Sequence, residues 1–357
     1  MNVVHLVSNK VWGGGERYAL DLTKSLKERG HNVKVFTRNR PVVFEAFKQE
    51  NIHGGCMRFG GFWDVFTPVK LAKELSKLEG DTVIHTHNFK DAYTALAARK
   101  LYKGSNNIKV VCTRHLVKAA KTDSSHTKII NSLDAIVFVS QLAMDTYLST
   151  KPAVKTDHIC VIHNSIIAPI ATKRPTPVGP DDVKLIFAGR IAPEKGLDVL
   201  IKALGEIKDL PWTLDVCGTG KGSDVMPIVR SSRALGIDSR VKWNGHVDNI
   251  TEHMQNADIC VVPSIAAESF GLAILEAFSQ GLAVITTNNG AQREFVTDGK
   301  NGLLVAPNDH KALADAIAKL INDSQLRGRL SDNGVDTFNN NFEYDSFVDK
   351  ILEVYNI

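Results

Sequence analysis

VKLIFAGRIAPEKGLDVLIKAL, residues 183–204, joins a short apolar run to a helical pattern through a charged loop. VKLIFAG has the length and β-rich composition of a buried strand, and RIAPEKG carries the chain from that strand into the helix. The same alternation extends along the whole chain. In the first half the strand candidates are NVVHLVS, NVKVFT, DTVIHTH, IKVVCT, DAIVFVS and ICVIHN. In the second half VKLIFAG is followed by TLDVCG, RVKWNG, DICVVPS, LAVITT and GLLVAP. Helical patterns separate most of them. One begins at Glu16 and runs to a stop at Gly30, with Ala19, Leu22 and Leu26 on one face. Strand–helix repetition implies an α/β protein with parallel sheets covered by helices on both sides. So many strands exceed a comfortable single sheet, so two sheets of about six are expected.

The break falls in APIATKRPTPVGPDD, residues 168–182, where four prolines and little periodicity mark a linker. Two Rossmann-like domains, 1–167 and 168–340, are expected on either side. The last segment, FEYDSFVDKILEVYNI, has Phe347, Ile351 and Val354 on one side of an amphipathic helix. With 357 residues, 43% of them apolar and 23% charged, the chain suits a soluble protein of about two domains. No apolar run is long enough to span a bilayer, and the opening MNVVHLVSNK lacks the features of an export signal. The five cysteines are scattered and form no C-x-x-C pair, which fits a reducing cytoplasm better than a disulfide framework. Charge is uneven: residues 1–165 carry 24 Lys/Arg against 14 Asp/Glu, the remainder 19 against 25. A basic half implies an anionic partner: an anionic membrane surface, a phosphorylated acceptor or nucleic acid.

Ligands of open parallel sheets collect beyond the carboxyl ends of the strands. Arg190 and Lys195 occupy one such loop, and two cations there suit a diphosphate. AAESFGLAILEAFSQG, residues 266–281, supplies the counterpart: an almost all-round apolar helix that nevertheless contains Glu276 and is preceded by Glu268. Unpartnered buried carboxylates are costly, so both acids call for a role. Ser269 is the expected N-cap, leaving the amides of Phe270, Gly271 and Leu272 free for phosphate. Glu268 and Glu276 suit vicinal sugar hydroxyls. SNKVWGGGERY places three glycines after the first strand, without the G-x-G-x-x-G spacing of a dinucleotide fingerprint. His85, His87 and His115 fall at strand ends, and Arg114, Lys118, Lys121, His126 and Lys128 surround the last of them. H-x-H alone suggests a metal. No third ligand lies near in sequence and D-x-D is absent, so chemistry without a metal is expected. RFGGFWDVFTPVKLAKELSKL combines Phe59, Phe62, Trp63 and Phe66 with Lys70, Lys73 and Lys77, which fits either a membrane-surface helix or a core edge with a solvated face.

Together these motifs resemble glycosyltransferase family four, enzymes of the GT-B fold that transfer sugars with retention of configuration. ESFGLAILE is similar to the E-x7-E signature, FAGRIAPEKGLDVLIKAL to the donor-diphosphate block, and VIHNSI, NGAQREFVTDGKNGLLV and GGGER to further family segments. The similarity spans nearly the whole chain. It implies two Rossmann-like domains facing each other across a cleft, with residues 341–357 crossing back to the first. It also implies that Arg190 and Lys195 hold the donor diphosphate and that Glu276 binds the ribose. Glu268, with the amides of Phe270, Gly271 and Leu272, would hold the transferred sugar, and the backbone around Val247 would meet the base. His115 would contact the sugar near the reacting carbon, and Gly14 and Gly15 would close on the diphosphate. His87, Arg114, Lys118 and Lys121 are assigned to the acceptor side. Two departures stand out: HNS replaces PNG at His163–Ser165, and NNGAQRE replaces Gly-Gly-x-x-Glu, with Gly290 and Glu294 in the matching places.

The expected activity is transfer of a sugar from a UDP- or GDP-linked donor to a hydroxyl of a glycan or lipid-linked acceptor. Lipopolysaccharide, capsule or another surface polysaccharide is the expected product, with neither cofactor nor metal. A sugar-nucleotide epimerase, a phosphorylase of the same fold and a non-catalytic anion-binding protein are the competing readings. Nucleic-acid binding is not expected, because no recognised module accompanies the basic charge.

Overall fold

The computed structural model describes residues 1–61, 64–168 and 183–356, so the linker at 169–182 and the Phe62–Trp63 pair lie outside the described residues. The chain forms two compact units, Met1–Asn164 with Tyr344–Ile357, and Ser165–Glu343. The chain thus changes units three residues from each of the sequence-based boundaries at 167/168 and 340/341.

The first unit holds strands β1 (Asn2–Val7), β2 (Asn32–Thr37), β3 (His53–Cys56), β4 (Thr82–Thr86), β5 (Ile108–Arg114), β6 (Ala135–Phe138) and β7 (Ile159–Val161). They form one seven-stranded sheet in the order β3-β2-β1-β4-β5-β6-β7. The second unit holds β8 (Val183–Ala188), β9 (Trp212–Cys217), β10 (Val241–Gly245), β11 (Ile259–Val262), β12 (Ala283–Thr287) and β13 (Leu303–Val305), in the order β10-β9-β8-β11-β12-β13. Every pair in both sheets is parallel. The strand absent from the sequence analysis is β3, whose residues read HGGC; it is an edge strand, and its place comes from pairing with β2. The helix read from Glu16 to Gly30 spans Gly14–Glu28.

Parallel strands are covered on both faces, which is why these runs are continuously apolar rather than alternating. One face of the first sheet receives helix Gly14–Glu28 through Tyr18, Leu22 and Leu26. The same cluster contains Phe347, Val348, Ile351, Val354 and Tyr355 of helix Tyr344–Asn356. That i, i+4, i+7 spacing is the apolar stripe seen in the sequence, and each fully buried large side chain contributes about 1.5–3 kcal/mol.

Strand order reverses between β1 and β4 in the first sheet and between β8 and β11 in the second. The space outside the carboxyl ends at such a switch point is where an open α/β sheet can seat a ligand.

Candidate active site

In the second unit, the loops after β8 and β11 are pinned to each other. Pro193–Lys195 makes a single 3-10 turn closed by Gly196 at φ +69°. A Cβ on Gly196 would run into the carbonyl oxygen of Pro263, so the left-handed turn and the close approach both require glycine. The carbonyl of Glu194 accepts from the amides of Ile265 at 2.9 Å and Ala266 at 3.2 Å. This places Lys195 Nζ 2.6 Å from Glu268 Oε1, an oxygen that also accepts a hydrogen bond from the buried Ser264 hydroxyl. With the Glu268 side chain only 13% exposed, these charge-assisted bonds stand in for water.

Glu268 is braced from its other side as well. The amide of Ala291 donates to the Glu268 carbonyl at 2.9 Å, and a Cβ on Gly290 would stand 2.5 Å from the Glu268 amide nitrogen. Gln292, fully buried, donates to the carbonyl of Thr287 at 2.6 Å and holds that loop in place. NNGAQRE therefore acts here as a wall behind Glu268. Ser264 and Gln292 are members of the site that residue type alone did not single out; Ser264 follows closely on β11, and Gln292 lies in the short turn Ala291–Glu294 beyond β12.

Arg190 is itself paired: its exposed guanidinium bonds Glu194 four residues on, as Lys195 pairs with Glu268. Two expectations need correction. Ser269 is not the N-cap. Phe270 turns into the core against Phe295 and Phe342, with ring centroids 5.0 and 5.9 Å away, so the chain starts its helix later. Gly271, at φ +101°, is the N-cap of helix Leu272–Ser279, and the first-turn amides are those of Leu272 and Ala273. Nor is that helix sealed all round: Leu272, Ala273 and Glu276 share a half-exposed face, opposite the buried Ile274, Leu275 and Phe278. Val247 is half-buried in the loop after β10, just beyond Gly245, whose carbonyl accepts from the amide of Gly218 at 2.7 Å.

In the first unit, the switch-point strands bring histidines together. His5 of β1 sits in register with His85 of β4. His85 is fully buried between the Tyr355 hydroxyl, 2.6 Å from its Nδ1, and the Thr113 hydroxyl, 2.7 Å from its Nε2. His87 Nε2 lies 3.0 Å from His5 Nδ1, and His87 Nδ1 lies 3.3 Å from His115 Nε2. Burial holds His5, His85 and His87 well below the usual histidine range and pushes His115 down to about 4. His5, His85 and His87 approach closely enough to resemble a metal-ligand trio. Every ring nitrogen of the three except His5 Nε2 is already hydrogen-bonded.

Gly14 opens helix Gly14–Glu28, and Gly15 lies against the His115 ring, where a Cβ would be 3.7 Å from Cδ2. The next residue, Glu16, is buried and accepts from Asn9 Nδ2; burial raises its pKa. Two residues assigned to the acceptor side are turned inward. His87 is buried among other histidines. Arg114 stacks its guanidinium 4.6 Å over the Phe89 ring and 5.1 Å from the Tyr147 ring, and donates to the Lys118 carbonyl at 3.1 Å. It stiffens its own loop. Lys118 and Lys121 remain exposed.

This architecture is shared with known proteins. Residues 12–167 match the family described as Glycosyltransferase Family 4, and residues 171–337 match Glycosyl transferases group 1. The chain is 26% identical over 387 residues to D-inositol 3-phosphate glycosyltransferase of Corynebacterium diphtheriae, covering 96% of this chain and 89% of that one. It is 29% identical over 177 residues to the lipopolysaccharide core biosynthesis glycosyltransferase LpsE of Rhizobium meliloti, covering 49% of this chain and 50% of that one. Among solved structures, Anabaena HepE in complex with UDP superposes with a TM-score of 0.85 at 19% identity, covering 100% of both chains. Two family matches, one to each half of a two-domain GT-B fold, identify the chain as a member of the group 1, family 4 glycosyltransferases, enzymes that transfer sugars.

Proposed function

We propose that the enzyme is a retaining, metal-independent hexosyltransferase that uses a UDP- or GDP-sugar to glycosylate a hydroxyl of a glycan or lipid-linked acceptor. The observation that carries this reading is the Lys195–Glu268–Ser264 cluster, built at a strand-order reversal by two interlocked loops. Lys195 exchanges Glu268 for the donor diphosphate, and Glu268 is then free to accept hydrogen bonds from sugar hydroxyls. Arg190 changes partner from Glu194 in the same way. As the bond from the anomeric carbon to the phosphate oxygen breaks, Arg190, Lys195 and the amides of Leu272 and Ala273 take up the developing negative charge. The acceptor oxygen bonds to that carbon from the same face, and its proton passes to the departing phosphate. Glu276 accepts from the ribose hydroxyls, and the backbone at Val247 meets the base. For the first unit, the resemblance to family four assigns a contact with the transferred sugar to His115 and a diphosphate contact to the backbone of Gly14 and Gly15.

HepE, solved with UDP and with UDP-glucose, supports a nucleotide-sugar donor, and LpsE supports a surface-polysaccharide acceptor. A peripheral, cytoplasmic-face association with anionic membrane is part of the same proposal. Val65, Phe66 and Val69 are exposed beside Lys70, Lys73 and Lys77, around helix Phe66–Leu75. No helix among the described residues is long and apolar enough to cross a membrane.

A thermal-shift screen of nucleotide sugars tests the donor: at a hundredfold excess over Kd the true one adds about 2.7 kcal/mol of stability. Proton NMR of the initial product then reads the anomeric configuration, and inversion would remove the retaining assignment. Sedimentation with anionic vesicles at low salt tests the membrane part, which absence of binding would refute.

A further inference from the structure

His5 Nε2 is a buried polar atom with no hydrogen-bond partner among the described residues. This orphan constrains the protons on two other rings. His5, His87 and His115 form a chain of hydrogen bonds, Nδ1 to Nε2 at 3.0 Å and Nδ1 to Nε2 at 3.3 Å. Their environment keeps all three neutral at pH 7. A neutral imidazole has one donor nitrogen and one acceptor nitrogen, so both bonds must point the same way. Either all three rings carry their proton on Nδ1, or all three carry it on Nε2. The second arrangement seals an N–H at His5 with nothing to receive it. The first leaves only an unused lone pair there, and orphaned buried N–H groups are rarer than under-used acceptors. His85 does not change this choice, because both its nitrogens are taken by Tyr355 and Thr113.

We infer that His5 and His87 are positioning residues that hold His115 in its Nδ1–H tautomer. His115 thereby presents a neutral hydrogen-bond donor on the one ring nitrogen that has no partner among the described residues. The neutral side chain of free histidine favours the proton on Nε2, so this state is imposed by the chain of rings. The chemical consequence rests on the site proposed above. His115 donates to an oxygen of the bound sugar nucleotide, a hydroxyl or a phosphate oxygen, and cannot serve through Nδ1 as the base that deprotonates the acceptor. That agrees with the departing phosphate receiving the acceptor proton.

The decisive measurement is a long-range 1H–15N correlation spectrum of the full chain labelled at histidine, at pH 7, with His115 assigned by its loss in His115→Asn. The expected spectrum shows a protonated Nδ1 and a bare Nε2 for His115; a protonated Nε2 overturns the inference without the help of any further variant. His87→Met can accept but not donate, so the His115 proton should move to Nε2 and kcat should fall about tenfold or more with KM little changed. His87→Gln, whose amide can donate to His115 Nε2, should restore the tautomer and most of kcat. Should His87→Met shift the tautomer but leave kcat intact, the link to transfer is overturned. The donor thermal shift of the unmodified enzyme, read separately, shows whether the nucleotide-sugar site itself still stands.

Discussion

Glu268 shares one oxygen between Lys195 and Ser264, so the ligand-free site is already arranged as an exchange of partners rather than as an unmet charge. Removing the ammonium should therefore harm chemistry far more than folding. Lys195→Ala leaves Glu268 with its serine partner, and a half-sheltered ion pair of this kind is worth about 1 kcal/mol or less. Its kcat at saturating donor should drop about 10²-fold or more, the size of effect seen on losing one oxyanion donor, while the thermal melt stays nearly unchanged. Near-normal turnover would remove the diphosphate assignment. Gly290→Ala tests the wall behind the acid: the added methyl meets the Glu268 amide nitrogen and the Gln292 side chain. An overpacking cost of about 1–3 kcal/mol is expected, together with weaker donor binding in calorimetry. A variant as stable and as tight as the parent would show that the loop yields freely.

Elements contribute through what their ends bring together. Strands β1 and β4, and the turns after β4 and β5, supply His5, His85, His87 and His115, all with depressed pKa values. For His115 the folded value is about 4 against an ordinary 6.5. Between those two values the unfolded chain binds a proton that the folded chain refuses, so stability is full above pH 6.5 and falls as pH drops through the window. His5, His85 and His87 act in the same direction, because burial holds each below the ordinary histidine range. Asp91, raised to about 6 by burial, opposes them, as do Glu16 and Asp21, because a raised carboxyl adds stability at low pH and loses it as pH rises. The more strongly displaced histidines dominate, so Tm should fall between pH 7 and 5 in scanning calorimetry. A flat or rising Tm would mean the rings charge where they sit.

At the scale of the molecule, the chain leaves the first unit after Asn164 and returns to it at Tyr344. Ser165 lies at that departure, and its hydroxyl donates to the Phe342 carbonyl at 2.5 Å, so the outgoing and returning segments are tied within the second unit. That gives the serine of HNS a local purpose. The returning helix Tyr344–Asn356 completes the first unit's core and ends in a buried hydrogen bond between Tyr355 and His85. Tyr355→Phe would strand His85 Nδ1 and should cost about 1–3 kcal/mol in urea unfolding. Truncation after Glu343 strips the sheet of five buried side chains and should leave the first unit unfolded or aggregating; a soluble, cooperative truncated chain would refute this role.

Local pattern was enough for the two α/β sheets, because buried parallel strands are short apolar runs and their crossovers are helical wherever they occur. It was enough, too, for placing Arg190, Lys195 and Glu268 at strand ends, since charge is conspicuous beside such runs. It did not reveal β3, whose HGGC has no apolar signature and exists as a strand only by pairing with β2. It misplaced the helix start at Ser269, because the burial of Phe270 against Phe295 and Phe342 decides where the turn can open. Which carboxylate holds which cation, and how three histidines far apart in sequence share protons, depended on strand order. Partners brought together across a sheet are chosen by tertiary packing, and no spacing along the chain encodes them.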